Sequence, residues 1–441
     1  MIGKRNKCVF ALSLVIIFAG YSCTQNKERP YLEAALEASR WIEASAVHTA
    51  DGEIWPMVPG EDLPVNNWLY SGNSGIVIFF LEAYFTTGAN KYLERAREGA
   101  DHLIETLDTE KMPGFYTGIS GIGFALQETY KATGDVLFLE GFKKCLWLLK
   151  ETAVEEGHGV QWSTTTDIIG GSAGTGLFLL YAFQETGDVS LLELASRAGL
   201  RLIELGQEAE GGIKWAMDPN FPRLMPNFSH GTAGIAYYLA SLYTKTQNEA
   251  FLNAALAGAR YIINVAKTEG ETCLLFHHEP EGEDLFYLGW CHGPVGTARL
   301  FYRLYEITRD IEWMEWVERG AQSILESGIP ENEHEGFWNN VGICCGSAGV
   351  ADFFLSLYKI TKKNEYLHFV GHLTDDLLAD ADKGEDGLKW IQAEHRTRPD
   401  FLQAQTGLMQ GAAGIGLWLL RLDAFEQERL PKIVFPDNPF L

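Results

Sequence analysis

Three cysteines beside two short glycine motifs have the residue type and placement needed to bind a metal ion. Cys291 lies two residues before Gly293, and Cys344 and Cys345 immediately precede Gly346. Zinc prefers a tetrahedral set of thiolate and imidazole ligands, and three protein ligands would leave the fourth position open for chemistry. The spacing matches no zinc finger, so a site requires the fold to bring these segments together. The alternative is three small buried cysteines, which are common in helical cores.

His230 and Asp167 have the chemistry of an acid–base pair. His230 immediately precedes Gly231, and its imidazole titrates near neutral pH, so it could donate or accept a proton. Asp167 precedes another glycine motif and could act with His230 or orient it. His292, next to Cys291, is an alternative metal ligand or a group that supports the ligands. For His230 and Asp167 the other interpretation is structural, as residues at helix starts.

Other cysteines and histidines lie outside this pattern. Cys145 and Cys273 are interpreted as structural, because one falls midway along a predicted helix and the other in a loop. Four histidines that do not precede a glycine motif are interpreted as surface or loop residues: His277, His278, His334 and His395.

The sequence contains an internal repeat, and the repeat must bring the candidate residues together. A Gly-x-x-Gly motif recurs seven times, and each copy opens an apolar run that predicts a buried helix. The copies are Gly72–Gly75, Gly118–Gly121, Gly171–Gly174, Gly231–Gly234, Gly293–Gly296, Gly346–Gly349 and Gly411–Gly414. In the first six copies a threonine follows twelve residues after the second glycine and precedes a turn: Thr87, Thr133, Thr186, Thr246, Thr308 and Thr361.

An amphipathic segment follows each turn and predicts an outer helix packed on the buried one. The first outer helix is predicted over residues 31–47, and the last inner helix ends near Asp423. Loops with a Gly-x-x-Trp pattern, such as Gly212–Trp215, are expected to form short hairpins. No repeat resembles a polar cap, so we predict an all-α fold, a closed seven-fold α/α toroid of inner and outer helices. Residues before the glycine motifs would then converge at one mouth of the barrel.

Composition and the N-terminal segment indicate where such a protein would work. The chain has 441 residues and a formal net charge of −24, which argues against a nucleic-acid partner. A basic start and an apolar stretch too short to span a membrane indicate export, and Cys23 lies where a lipoprotein is lipidated. We therefore expect a bacterial lipoprotein, periplasmic or at the cell surface, held to the membrane by its lipid alone. The predicted segments are a signal peptide at 1–22, a linker at 23–30, the toroid at 31–426 and a C-terminal tail at 427–441.

With these motifs in phase, the sequence resembles the lanthionine synthetase C-like family of lantibiotic cyclases over about residues 30–425. Trp290-Cys291-His292-Gly293 matches the family's W-C-x-G motif, and Cys344-Cys345-Gly346 its C-H-G motif. Ser229-His230-Gly231 matches S-H-G, and Asp167 matches the loop aspartate. Cys345 stands where the family usually has a zinc-binding histidine, and His292 where it usually has a tyrosine.

The resemblance implies a zinc-dependent thioether-forming enzyme. Cys291, Cys344 and Cys345 would hold Zn²⁺, which would activate a peptide or small-molecule thiol for addition to dehydroalanine or dehydrobutyrine. His230 would protonate the enolate, and Asp167 would help to remove the thiol proton or hold His230. Two other functions stay open: an exported glycan-active or sugar-binding toroid, and a zinc-containing lipoprotein that binds a thiol or peptide without catalysis.

Overall fold

The fold is described by a computed structural model for residues 28–61, 65–209, 211–221 and 223–441. The predicted signal peptide at 1–22 and the predicted lipidation at Cys23 lie outside the described residues. Among the helices within them, none is long and apolar enough to cross a membrane.

Seven inner helices of equal length begin at the seven glycine motifs, and seven outer helices alternate with them. The inner helices are α2 (Asn73–Thr87), α4 (Ile119–Thr133), α6 (Ser172–Thr186), α8 (Thr232–Thr246), α10 (Pro294–Thr308), α12 (Ser347–Thr361) and α14 (Ala412–Glu426). The outer helices are α1 (Pro30–Ala44), α3 (Asn90–Thr106), α5 (Val136–Thr152), α7 (Val189–Leu205), α9 (Glu249–Val265), α11 (Glu312–Ser327) and α13 (Asn364–Ala379).

The helices form a closed ring, which confirms the predicted α/α toroid. Each inner helix packs against the next, α14 packs against α2, and the first outer helix α1 packs on the last inner helix α14. Arg29, just before α1, also binds α14, because its Nε donates to Asp423 Oδ1 at 2.8 Å. The prediction that α1 extends to Val47 was wrong: the helix ends at Ala44, since Val47–Thr49 pairs with Gly52–Ile54 as a hairpin.

The short strands form two-stranded antiparallel hairpins, five of which follow an outer helix. They are β1 (Val47–Thr49) with β2 (Gly52–Ile54), β3 (Val154–Glu156) with β4 (Gly159–Gln161), β5 (Gln207–Ala209) with β6 (Gly212–Lys214), β7 (Lys267–Glu269) with β8 (Thr272–Leu274), β9 (Asp382–Gly384) with β10 (Gly387–Lys389), and β11 (Ile391–Ala393) with β12 (Leu402–Ala404). In the first of these hairpins, Val47 lies opposite Ile54.

In three of the Gly-x-x-Trp loops, the tryptophan anchors its hairpin to the preceding outer helix. Trp215 Nε1 donates to the carbonyl of Leu202 in the last turn of α7, at 2.6 Å. Trp162 and Trp390 make the equivalent bonds to Leu149 and Leu377, both at 2.8 Å. These bonds satisfy carbonyl groups that a helix leaves unpaired at its C-terminal end.

The recurring threonine connects each inner helix to the next outer helix. Thr186 Oγ1 donates to the carbonyl of Ala182 at 2.7 Å and accepts from the N–H of Asp188 at 3.1 Å. Between them Gly187 adopts a left-handed conformation with φ of 71°, and the Asp188 side chain caps the start of α7. The same threonine pattern recurs after the other inner helices up to α12.

The glycine motifs mark places where the preceding loop crosses the first turn of an inner helix at backbone contact. A Cβ at Gly231 would overlap the carbonyl oxygen of Met225, and one at Gly234 would overlap that of Phe228. A side chain at either position would push the loop away from the helix.

A belt of backbone hydrogen bonds runs around most of the mouth, which is the end of the barrel where the inner helices begin. In six of the seven repeats, the residue two positions before the first glycine of the motif donates its N–H to the carbonyl of its counterpart in the next repeat; among the described residues, no such bond runs from Ile169 to Ser229. Bonds of 2.8–3.2 Å of this kind join Tyr70 to Tyr116, Tyr116 to Ile169, Ser229 to Cys291, Cys291 to Cys344, Cys344 to Met409, and Met409 back to Tyr70. The belt therefore holds side chains from distant parts of the sequence around one opening.

We predict that Trp215→Phe lowers the free energy of unfolding by about 1–3 kcal/mol more than Trp55→Phe does. Both indoles are fully buried at equivalent positions, so both variants lose similar packing. Trp215 donates to Leu202, whereas Trp55 Nε1 is buried with no hydrogen-bond partner in the described part of the chain. Chemical denaturation of the two variants and the wild type measures the difference. Equal losses would show that the indole hydrogen bond does not stabilise the hairpin.

Candidate metal centre

Three cysteine sulfurs meet at the mouth of the barrel. Cys291 Sγ lies 3.1 Å from Cys345 Sγ, and Cys345 Sγ lies 3.5 Å from Cys344 Sγ. All three atoms lie within 4.8 Å of one another, and all three residues are buried free cysteines. A tetrahedral zinc ion with Zn–S bonds of about 2.3 Å separates its sulfur ligands by about 3.8 Å. The donor set therefore fits such an ion, and the cluster could bind a metal.

The backbone belt explains why these cysteines meet. Cys291 and Cys344 occupy equivalent positions in adjacent repeats, and the Cys291 N–H donates to the Cys344 carbonyl at 3.2 Å. Cys345 is the next residue along the chain and adds the third sulfur. Gln410, which precedes the next glycine motif, points Nε2 at Cys345 Sγ at 3.8 Å and donates to the Tyr70 hydroxyl at 3.3 Å.

The three thiols bind protons unequally. Hydrogen bonds from Cys291 and Cys345 hold the pKa of Cys344 well below its ordinary value. Burial raises the pKa of Cys291 well above its ordinary value. One sulfur of the cluster is thus stabilised as a thiolate by the other two, which is the charge distribution that attracts a cation.

Asp167 and His230 form a hydrogen-bonded pair in the two repeats before Cys291. His230 Nδ1 lies 2.6 Å from Asp167 Oδ2, and Asp167 Oδ1 accepts from the N–H groups of Gly170 and Gly171 at 2.8 and 2.9 Å. The aspartate is 2 % exposed, whereas the His230 side chain is 32 % exposed and lines the cavity. Burial lowers the pKa of His230, but the hydrogen bond and the charge of Asp167 outweigh it and raise the pKa above its ordinary value.

His292 lies outside the group of three sulfurs and binds an asparagine instead. The Asn227 Nδ2 group donates to the carbonyls of Phe276 and His277 at 3.1 and 3.2 Å, so its Oδ1 is the acceptor for His292 Nδ1 at 2.7 Å. This assigns the proton of His292 to Nδ1. Burial and the neighbouring His277 hold the pKa of His292 well below its ordinary value, so the ring is neutral.

His277 and His278 belong to the site, which the sequence analysis did not predict. They lie in a loop, as expected, but the His277 ring stacks on His292 with 3.8 Å between centroids, and both residues line the cavity, as does His395. Burial and the adjacent His278 lower the pKa of His277 to about 3. The loop follows hairpin β7–β8 and does not precede a glycine motif, so the repeat gave no reason to place it here. The one signal in the sequence was the adjacent histidine pair.

A cavity of about 460 Å³ opens above the sulfurs. The thiols and His230 line its interior, and the exposed side chain of Arg223 lines its rim. Glu394 also lines it. Hydrolysis of a glycosidic bond needs two carboxyl groups about 5–9.5 Å apart across the substrate. Among the described residues lining this cavity, Glu394 is the one carboxylate, so this cavity by itself does not present such a pair; binding of a sugar without hydrolysis needs none.

Comparison with known proteins assigns the chain to one protein family. A family model described as lanthionine synthetase C-like protein matches residues 64–435. Glutathione S-transferase LANCL1 from Danio rerio is 21 % identical over 311 residues, which cover 68 % of this chain and 71 % of that protein.

Two solved structures show the same fold at low sequence identity. Nisin cyclase superposes with a TM-score of 0.61 at 15 % identity, covering 91 % of this chain and 95 % of that one. The GH76A α-1,6-mannanase from Salegentibacter sp. HEL1_6 superposes with a TM-score of 0.51 at 14 % identity, covering 90 % and 99 %. At these identities the likeness concerns the toroid alone.

We predict that Asp167→Asn lowers the pKa of His230, because the variant removes the charge that raises it. In the wild type, a raised folded-state pKa stabilises the protein fully below the unfolded-state value of about 6.5, and this stabilisation is lost as pH rises through the folded-state pKa. The variant should lose that part of the pH dependence of the unfolding free energy. NMR of histidine-labelled protein measures the midpoint directly.

His277 provides an internal control for that titration, because its pKa of about 3 keeps it neutral across the pH range of the experiment in both proteins. An unchanged His230 midpoint in Asp167→Asn would show that the carboxylate does not control the imidazole.

Proposed function

The chain belongs to the lanthionine synthetase C-like family, and from this premise we propose that it is a zinc-dependent enzyme that adds a thiol to an electrophilic double bond and forms a thioether. The observation that carries the proposal is the meeting of three buried free cysteine sulfurs within 4.8 Å of one another in the wall of an open cavity, beside a hydrogen-bonded His–Asp pair. Dehydroalanine and dehydrobutyrine residues are the acceptors that we propose.

Cys291, Cys344 and Cys345 would hold the zinc ion. When bound, zinc lowers the pKa of a thiol that coordinates it and so supplies a thiolate nucleophile at neutral pH. Three thiolate ligands match the preference of zinc for sulfur, and a fourth position stays free for the substrate.

His230 is proposed as the proton donor. Its Nδ1 binds Asp167, so Nε2 is the ring atom left to face the cavity. Addition forms a carbon–sulfur bond at the β-carbon and moves the electron pair of the double bond to the α-carbon, which must then take a proton. His230 Nε2–H gives that proton, and the proton released by the substrate thiol restores the imidazolium. The raised pKa of His230 keeps the imidazole protonated for this step.

Asp167 positions His230 and compensates its charge. Two backbone N–H groups at the start of α6 fix one carboxylate oxygen, so the other points to His230 Nδ1 in one direction. The neutral rings of His292 and His277 form an uncharged wall beside this pair.

The substrate that we propose is a peptide or a small peptide-like thiol. One relative is named nisin cyclase and another glutathione S-transferase, so both names denote proteins that act on peptides or a peptide thiol. A cavity of about 460 Å³ that is open to solvent would admit a segment of a peptide carrying the reacting groups.

We also propose that the protein is exported and lipid-anchored at Cys23, with the mouth facing away from the membrane. Outer helices run opposite to inner ones, so α1 begins at the end of the barrel away from the mouth. The pairing of Arg29 with Asp423, in the last turn of α14, marks that end. Pro30 lies seven residues after Cys23, a length of chain that spans at most about 25 Å. A lipid at Cys23 would leave the cavity open to soluble substrates.

We predict one zinc ion per chain in protein purified without chelators and supplied with zinc. Cys344→Ala should lose most of the metal, because two ligands are too few for a tight site. Cys273→Ala should retain it, because Cys273 is also buried and free but lies on β8, outside the cluster. Elemental analysis measures all three proteins. Wild-type protein without zinc under these conditions would refute the metal site.

We predict that His230→Ala keeps its zinc and slows thiol addition by about 10²–10⁴-fold, the usual loss for a missing general acid. Zinc content and cyclisation of a dehydrated test peptide are measured on one preparation. Loss of zinc would make His230 a ligand. Retained zinc with unchanged activity would move the proton donor to another group.

A further inference from the structure

The C-terminal tail enters the barrel from the end opposite the mouth. Glu82 on the inner helix α2 accepts hydrogen bonds from the N–H groups of Lys432 and Ile433, both at 3.0 Å. From there the chain leads inward to Asp437, which is 1 % exposed. The tail therefore packs into the far end of the barrel and places the Asp437 carboxylate inside it.

Asp437 binds two groups at once. Tyr116 donates its hydroxyl to Asp437 Oδ2 at 3.1 Å, and Arg299 Nη1 lies at the same distance from that oxygen. Arg299 Nη1 also donates to the Asp437 carbonyl at 2.8 Å. These contacts link the tail to α10 and to a residue of the backbone belt.

Tyr116 contacts the ring of Trp290, the residue before Cys291, and Arg299 is connected to the same ring through Phe228. The Tyr116 ring meets the Trp290 ring edge to face with 5.1 Å between centroids. The Arg299 guanidinium lies 5.7 Å above the Phe228 ring, which meets Trp290 edge to face at 5.7 Å. Aromatic contacts of this kind are directional, so they set the orientation of the ring as well as its burial.

We propose that Asp437 is a positioning residue of the candidate metal centre. It holds Tyr116 directly, and Phe228 through Arg299, against Trp290, and so fixes the backbone from which Cys291 projects. The metal-binding part of this inference rests on the proposed function, whereas the placement of Cys291 does not.

The pairing of Asp437 is better suited to fixing a position than to adding stability. A buried ion pair often stabilises a fold less than apolar residues of the same volume would. Asp437 Oδ1 is, in addition, buried without a hydrogen-bond partner among the described residues, which is unfavourable for stability. What the carboxylate does supply is a single acceptor, Oδ2, that two groups on different elements share.

Asp423 offers a matched control. It is a buried aspartate whose side chain is 1 % exposed, as that of Asp437 is, and it pairs with Arg29 and Arg429 near the C-terminal end of α14. Its contacts do not lead to Trp290. Asp423→Asn therefore reports what losing a buried aspartate–arginine pair does to the fold alone.

The test compares Asp437→Asn, Tyr116→Phe and Asp423→Asn in the full mature chain. Zinc affinity is measured by competition with a chelator, and the geometry of the site by the absorption spectrum of the cobalt-substituted protein. We expect Asp437→Asn to weaken zinc binding by about 10–100-fold, the usual effect of losing a group that supports a metal ligand. Tyr116→Phe should shift the cobalt spectrum in the same direction. Asp423→Asn should lower the Tm yet bind zinc as the wild type does. Wild-type affinity and spectrum in Asp437→Asn would overturn the proposal.

A second measurement uses metal-free protein and separates this inference from the zinc proposal. The rate at which iodoacetamide labels Cys291, followed by peptide mass spectrometry, should rise several-fold in Asp437→Asn and Tyr116→Phe and stay unchanged in Asp423→Asn. An equal rise in Asp423→Asn would show general loosening and refute a positioning role. If the wild type binds no zinc but labelling follows the expected pattern, the zinc proposal fails and the positioning role stands.

Discussion

The structure depends on the belt of backbone hydrogen bonds that joins equivalent residues of neighbouring repeats around the mouth. These bonds use only main-chain groups, so the side chain at each belt position is free to differ: tyrosine in two repeats, cysteine in two others. Glycines let the loops lie against the helix starts closely enough for these bonds to form. A scaffold held by its backbone can therefore carry a site assembled from different repeats without a local change of fold.

The site combines titratable groups whose pKa values are shifted in opposite directions although they lie close together. Burial makes His277 and His292 neutral, whereas the carboxylate of Asp167 keeps the pKa of His230 raised a short distance away. Within the thiol cluster, hydrogen bonds lower the pKa of Cys344 while burial raises that of Cys291. Shifted pKa values of this kind are typical of functional sites, where neighbouring residues need different protonation states.

Local rules explain why so much of the fold was predictable. The apolar runs after the glycine motifs end at the recurring threonines, and in the structure the first six inner helices end at those residues. The threonine hydroxyl, the left-handed residue and the capping aspartate act within a few residues of one another, so the sequence shows them directly. The first helix was predicted too long, because residues 45–47 continue its pattern although the pairing of Val47 with Ile54 takes them into a hairpin.

The sequence by itself determined the repeat, the inner and outer helices and the residues before the glycine motifs that converge at the mouth, because each of these follows from periodicity and turn chemistry. Only the tertiary structure decided which of those residues touch. Cys291 and Cys344 meet because their repeats are adjacent in the ring, and His277 reaches the cavity from a loop with no repeat phase. Asp437 reaches Tyr116 across 321 residues of sequence, from a tail with no counterpart in any repeat. Contacts of this kind depend on how the ring closes around its axis, which no local pattern encodes.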